Sequence, residues 1–187
     1  PSSAASDVYK RQGQHSSLPR GFLVSSTYAG IKSAISPRPA DASANSAKAR
    51  TSVPKPDMAL IVSSSPAAVA GTFTTNVFKA APVVHATQAL AEDGARTRAV
   101  LANSGCANAV TGKAGLEDTQ ELVGEVQRLL TPSGRDASGA SAADVLMLST
   151  GVIGVRLPLA PMKRALPHLV SGGVLQTGVD AWWDVAR

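Results

Sequence analysis

The order of secondary-structure signals between residues 98 and 168 constrains this chain most. A strand-like run, RAVLAN (98–103), leads into ten residues with only one bulky side chain, NSGCANAVTG (103–112). A helical stripe follows, with Leu122, Val126, Leu129 and Leu130 at i, i+4, i+7 and i+8. Glu117 and Asp118 near its start and Arg128 near its end suit the helix dipole, and Pro132 with Gly134 stop it. A second apolar run, DVLML (144–148), leads into another small-residue segment, STGVIG (149–154), and a helix over about 158–168. Strands and helices interleave, so the fold class is α/β (α+β).

Upstream, GFLVSSTYAGIK (21–32) alternates loosely and reads as a strand or short hairpin. ALIVSS (59–64) is a short strand that Pro66 should break, and VAGTFTT (69–75) a second, with Gly71 as a bulge. Residues 83–90 fit a strand or the first turns of a helix, and DAWWDVAR at the end is helical. Residues 1–17 read as a leader or a sequence-assembly scar, expected to be disordered, although Ser and Arg with few acids also suit a transit peptide. A domain is expected over 18–187. Its residues 33–56 hold four prolines and should form a flexible surface insertion, and 131–143 another polar loop.

The net charge of +5 invites a nucleic-acid partner, but its location argues otherwise. Through Pro56 there are eight Lys/Arg and two acids, whereas the remainder is close to neutral. Aromatic residues at 4% are too few for a base-stacking surface, and no apolar run is long enough for a membrane span. Neither nucleic acid nor membrane is therefore an expected partner. One cysteine, Cys106, allows no internal disulfide, and His15, His85 and His168 lack ligand-like spacing, so no metal is expected.

Both small-residue segments end a strand, contain a Thr-Gly pair and lead toward a helix: Thr111–Gly112 and Thr150–Gly151. Neither fits a phosphate loop or the dinucleotide fingerprint. A bland reading is tight helix-on-sheet packing with Thr as the cap. The chemical reading is a hydroxyl and a backbone N–H directed at a carbonyl oxygen that becomes an oxyanion, as acyl transfer requires. Cys106 reads as a small buried hydrophobe, since no His or acid stands near it in sequence, and His85 has no nameable partner for acid–base work.

Order and spelling of the motifs go further. PRGF (19–22), GIK (30–32), DMALIVSS…PAAVAGTFTTN (57–76), AAPV (80–83), NSGCANAVTG and STGVIG…LP follow one another in a single order. The set resembles the glutamate N-acetyltransferase family, the bifunctional ornithine acetyltransferases of arginine biosynthesis, and Cys within NSGCANA resembles fungal, mitochondrial members. The resemblance implies a layered αββα-type sandwich of which this chain is the N-terminal part. It implies a precursor that cuts itself before a threonine into α and β chains, paired as an α2β2 heterotetramer. The new N-terminal Thr would carry acetyl from N2-acetylornithine to glutamate as an ester. No cofactor is implied, acetyl-CoA being a possible acetyl donor.

Carried onto this chain, the oxyanion hole falls on Thr111 and Gly112, and a substrate contact on Thr150. The family's nucleophile motif, a Lys-Gly turn before Pro-Asn-Met-Ala-Thr, is absent from this sequence. The expectation is thus an incomplete α chain that works in the mitochondrial matrix, or in the cytoplasm for a bacterial source. A related self-processing amidohydrolase or aminopeptidase, and a non-catalytic α/β anion-binding module, are the alternatives.

Overall fold

The computed structural model describes residues 19–36, 54–91, 94–131, 144–171 and 175–186. Four strands form one sheet in the order β1 (Phe22–Thr27), β2 (Met58–Ala68), β3 (Arg96–Cys106), β4 (Val145–Val152). The first three pair antiparallel and β4 runs parallel to β3. A parallel neighbour requires a crossover, which helix α3 (Gly112–Leu130) provides. The remaining helices are α1 (Ile31–Ile35), α2 (Ala81–Ala89), α4 (Leu159–Val170) and α5 (Val179–Ala186). The mixed α/β class expected from the sequence is the class observed.

Period-two alternation decides which side chains meet the helices. Met58, Leu60 and Val62 of β2, Ala99 and Leu101 of β3, and Val145 and Met147 of β4 belong to the main core. Leu122, Val123 and Val126 of α3 and Met162, Ala165, Leu166 and Leu169 of α4 complete it. Each large side chain buried here contributes about 1.5–3 kcal/mol relative to exposure. On the alternate positions Leu146 meets Ala86 and Ala89 of α2, with Val69, Leu90, Ala95 and Val100 around them. Farther along the same side of β4 the cover ends: Leu148 is 61% exposed, Thr150 is exposed and Val152 is 40% exposed.

Several boundaries differ from the sequence reading. Pro66 does not break β2, which runs on to Ala68. β1 pairs only as far as Ser63, and the register against β3 shifts between Val62 and Ala67. Pro66 therefore sits where the ladder is already interrupted and no backbone donor is needed. Residues 69–75 form no strand, and the irregularity expected at Gly71 lies instead at that register shift. The segment 81–89 resolves as helix, with Pro82 in its first turn. The tail of GFLVSSTYAGIK is helix rather than hairpin: Gly30, at φ 77°, opens α1. The first residues of the expected 33–56 insertion are thus helical. The leader, most of that insertion and most of the 131–143 loop lie outside the described residues.

Candidate active site

β3 continues through Asn103–Cys106, so the first half of NSGCANAVTG is strand and only 107–111 is loop. That loop is stitched to the end of β4: Ala107 N–H donates to Val152 O at 2.9 Å and Gly154 N–H to Ala109 O at 2.9 Å. Its centre is Asn108, fully buried and at φ 48°. Asn and Asp reach this left-handed region most readily among non-glycine residues. Asn108 Nδ2 donates to Gly115 O at 2.9 Å and to Thr119 Oγ1 at 3.0 Å. Its Oδ1 accepts the Thr111 hydroxyl at 2.8 Å.

Val110 also has a positive φ, 58°, and is 58% exposed. A β-branched side chain in that conformation stores strain of order 1–3 kcal/mol. The anchored Asn108 before it and helix α3 after it hold it there. Thr111 is the residue before α3, yet its hydroxyl caps no helical N–H. The capping role in the bland reading is therefore absent, because the hydroxyl points to Asn108. Gly112, at φ 60°, opens α3 and leaves the first-turn N–H groups without intrahelical acceptors, a local positive pole.

The second Thr-Gly pair differs from the strand-end turn expected for it. Thr150 and Gly151 are still within β4, paired with Ser104 and Gly105 of β3, and α4 begins only at Leu159. Gly105 and Gly151 lie opposite each other at φ 106° and 133°. A Cβ on Gly151 would fall 2.3 Å from the Gly105 carbonyl carbon, so side chains are excluded and the backbones meet directly. Close approach of backbone explains much of the small-residue composition.

Thr111 and Gly112 share one recess of about 270 Å3 with Lys79, Ala81, Val84, Lys113 and Leu116. Thr150 lines two other depressions, one of about 220 Å3 beside α5 and a wider one of about 710 Å3 toward Tyr28 and Lys32. The two predicted elements thus line separate recesses that have no lining residue in common. Sequence reasoning missed Asn108 and Gly115, whose only signal was smallness and polarity within a helix start. It reads Asp118 as a helix-start charge, whereas the first turn of α3 carries no acid and Asp118 is buried, taking a bidentate pair from Arg156 at 2.8 and 2.6 Å that ties the segment after β4 to α3.

Cys106 is fully buried and its thiol donates to Val155 O at 3.3 Å. Burial pushes the thiol above its ordinary pKa, a backbone bond from Asn108 opposes this, and the Asp118 charge adds to the rise. That is the environment of an inert thiol. His85 is buried on α2, and burial holds its pKa below the ordinary value despite a backbone bond at Val145. Among the described residues, no three His, Cys, Asp or Glu side chains could hold a metal ion together, and no helix is long and apolar enough to cross a membrane.

Known proteins resemble this chain in fold and in sequence. The ArgJ family model matches residues 41–181. The mitochondrial arginine biosynthesis bifunctional protein ArgJ of Malassezia globosa is 60% identical over 187 aligned positions, covering 92% of this chain and 36% of that protein. Its counterpart in Ajellomyces capsulatus is 41% identical over 170 positions, covering 90% of this chain and 31% of the relative. The chain therefore spans about a third of the length of the curated relatives it matches. Among solved structures, the ornithine acetyltransferase of Mycobacterium tuberculosis, in complex with ornithine, aligns with a TM-score of 0.65 at 35% identity. That match covers 87% of this chain and 73% of the other. The Bacillus halodurans ArgJ protein, 24% identical, covers 87% of this chain and 68% of its own with a TM-score of 0.64, a likeness of fold. On the family match across most of its length, this chain belongs to the ArgJ family.

Proposed function

We propose that this chain is the α-chain portion of a bifunctional ornithine acetyltransferase and glutamate N-acetyltransferase. The acetyl group of N2-acetylornithine passes to a threonine hydroxyl outside these 187 residues, forming an ester and releasing ornithine. The glutamate amine then attacks the ester, giving N-acetylglutamate and restoring the hydroxyl. Each step goes through a tetrahedral centre whose oxygen gains negative charge. Fixed donors aimed at that oxygen are the largest single contribution a protein can make to such a reaction.

The observation that carries this reading is the pairing of the Thr111 hydroxyl with the Gly112 N–H at the open N-terminus of α3, on a loop clamped by Asn108. At rest the Thr111 hydroxyl donates to Asn108, to Oδ1 at 2.8 Å and to O at 3.1 Å; in this reading it turns to the oxyanion when one forms. Thr150, exposed on β4 and lining the wide cleft beside Lys32, is the substrate contact in this reading.

The acetyl acceptor in the first step is the N-terminal Thr of a β chain cut from the same precursor, and two αβ pairs form an α2β2 heterotetramer. Exposed Leu148, Val152 and Ile153 beside Thr150 support a covering chain on this side. The fungal relatives named as mitochondrial support action in the mitochondrial matrix. No cofactor is required, and acetyl-CoA can serve as an alternative acetyl donor. Denaturing gels of the complete protein test the processing, with two fragments expected, and one intact band would contradict it.

A further inference from the structure

Beside Thr150 lies the wide cleft of about 710 Å3, and its charged lining residues are Lys32, Lys55 and Asp57. Asp57 is committed elsewhere: Oδ1 accepts Ala29 N–H at 2.6 Å and Oδ2 accepts Ile31 N–H at 2.8 Å. Its carboxylate fixes the entry to α1. Among the described residues neither Lys32 nor Lys55 has an acidic partner in an ion pair. The cleft thus offers two ammonium groups with its one acid already engaged.

Lys32 is not simply a lysine on a surface. Its backbone rests on Gly105, where an added Cβ would lie 3.2 Å from Lys32 N, and Gly105 pairs with Gly151 next to Thr150. Asp57 holds the residues immediately before it, and Ile31 beside it is fully buried. The start of the side chain is therefore fixed relative to Thr150, while its ammonium end is free to reach a ligand.

We propose that Lys32, assisted by Lys55, recognises the side-chain carboxylate of an acidic acyl acceptor in this cleft and makes the site discriminate by side-chain charge. The assignment rests on the acetyl-transfer reading above. The two substrates of that reading differ most at the far end of the side chain: ornithine carries an ammonium, glutamate a carboxylate. Ammonium groups on the cleft wall attract the second and repel the first. Lysine suits a site visited by both, since its long flexible stem can withdraw when the cationic side chain enters.

The test uses the complete, processed protein and compares glutamate with glutamine, a neutral acceptor of the same shape. Lys32→Ala should raise the KM for glutamate about tenfold, the worth of one charge-assisted contact, with kcat little changed. The preference for glutamate over glutamine should fall by the same factor. Lys32→Arg should keep the preference, and Lys32→Glu should raise the KM for glutamate while lowering that for N2-acetylornithine. An unchanged glutamate-to-glutamine ratio in Lys32→Ala overturns the assignment. So does a KM effect confined to acetyl-CoA, which would give the lysines to phosphate instead. Failure of the wild-type protein to transfer acetyl at all would sink the underlying function, a result distinct from either.

Discussion

The hydroxyl of Thr111 lies 2.8 Å from Oδ1 of Asn108, and the same Asn108 amide reaches forward to Gly115 O and Thr119 Oγ1. One buried side chain thus joins the loop after β3 to the first two turns of α3. The distance from loop to helix, and with it the aim of Thr111, is set by this knot rather than by a helix cap.

Removing the knot should be costly. Asn108→Ala in the complete protein deletes three hydrogen bonds, each worth about 0.5–1.5 kcal/mol, while Thr111 Oγ1 keeps its bond to Asn108 O and Thr119 Oγ1 keeps its bond to Gly115 O. It also puts a Cβ residue without a local hydrogen bond at positive φ. A loss of about 2–4 kcal/mol is expected from urea unfolding. A midpoint within error of wild type would show that the knot carries no stability.

Gly115 and Gly124 make a paired test on one helix. Glycine to alanine in a helix interior ordinarily stabilises by about 1 kcal/mol. Gly124 is exposed, and a Cβ added there would meet nothing within 4 Å, so Gly124→Ala should show that gain. At Gly115 the new Cβ would fall 1.9 Å from Thr111 Oγ1 and 2.6 Å from Asn108 Oδ1. Gly115→Ala should therefore destabilise the protein and lower turnover together. Equal effects of the two substitutions on thermal unfolding would contradict the packing described.

Cys106 should behave as core. Its thiol is fully buried, bonded to Val155 O and raised in pKa by that burial. A thiol reagent should label it slowly in the folded protein and rapidly in denaturant. Cys106→Ala should keep most acetyl transfer, and a hundredfold loss with the fold intact would make the thiol a participant.

His85 should make stability fall on acidification. Its folded pKa is depressed below 6.5, so the unfolded chain binds the proton more readily. Stability is full above the unfolded value and declines as pH drops from there toward the folded one. The urea midpoint should fall between about pH 7.5 and 5.5 by less in His85→Gln than in wild type. An identical slope would remove His85 as the cause.

The elements with strong periodicity are legible in the sequence. The Leu122–Leu130 stripe marks α3, and the apolar runs before the two Thr-Gly pairs mark β3 and β4. Punctuation misleads. Pro66 reads as a terminator because a single sequence does not reveal that it falls beyond the end of pairing to β1 at Ser63 and inside the register shift between Val62 and Ala67. Thr150–Gly151 reads as a turn because glycine signals turns, whereas here Gly151 lets two strands run closer than side chains allow. At the site, motif resemblance points to Thr111, Gly112 and Thr150. Asn108, Gly115 and the Asp118–Arg156 pair escape because their partners are 3 to 38 residues away, a distance that only the fold closes.

Formation of ornithine from N2-acetylornithine, dependent on glutamate and followed with the complete protein, tests the central claim most directly. The account predicts steady release with wild type and a fall in turnover of about 10²–10³ in Thr111→Ala, the usual cost of one oxyanion donor. Residues 1–187 alone should release none. Near-native turnover in Thr111→Ala, or robust transfer by the 187-residue chain by itself, would contradict it.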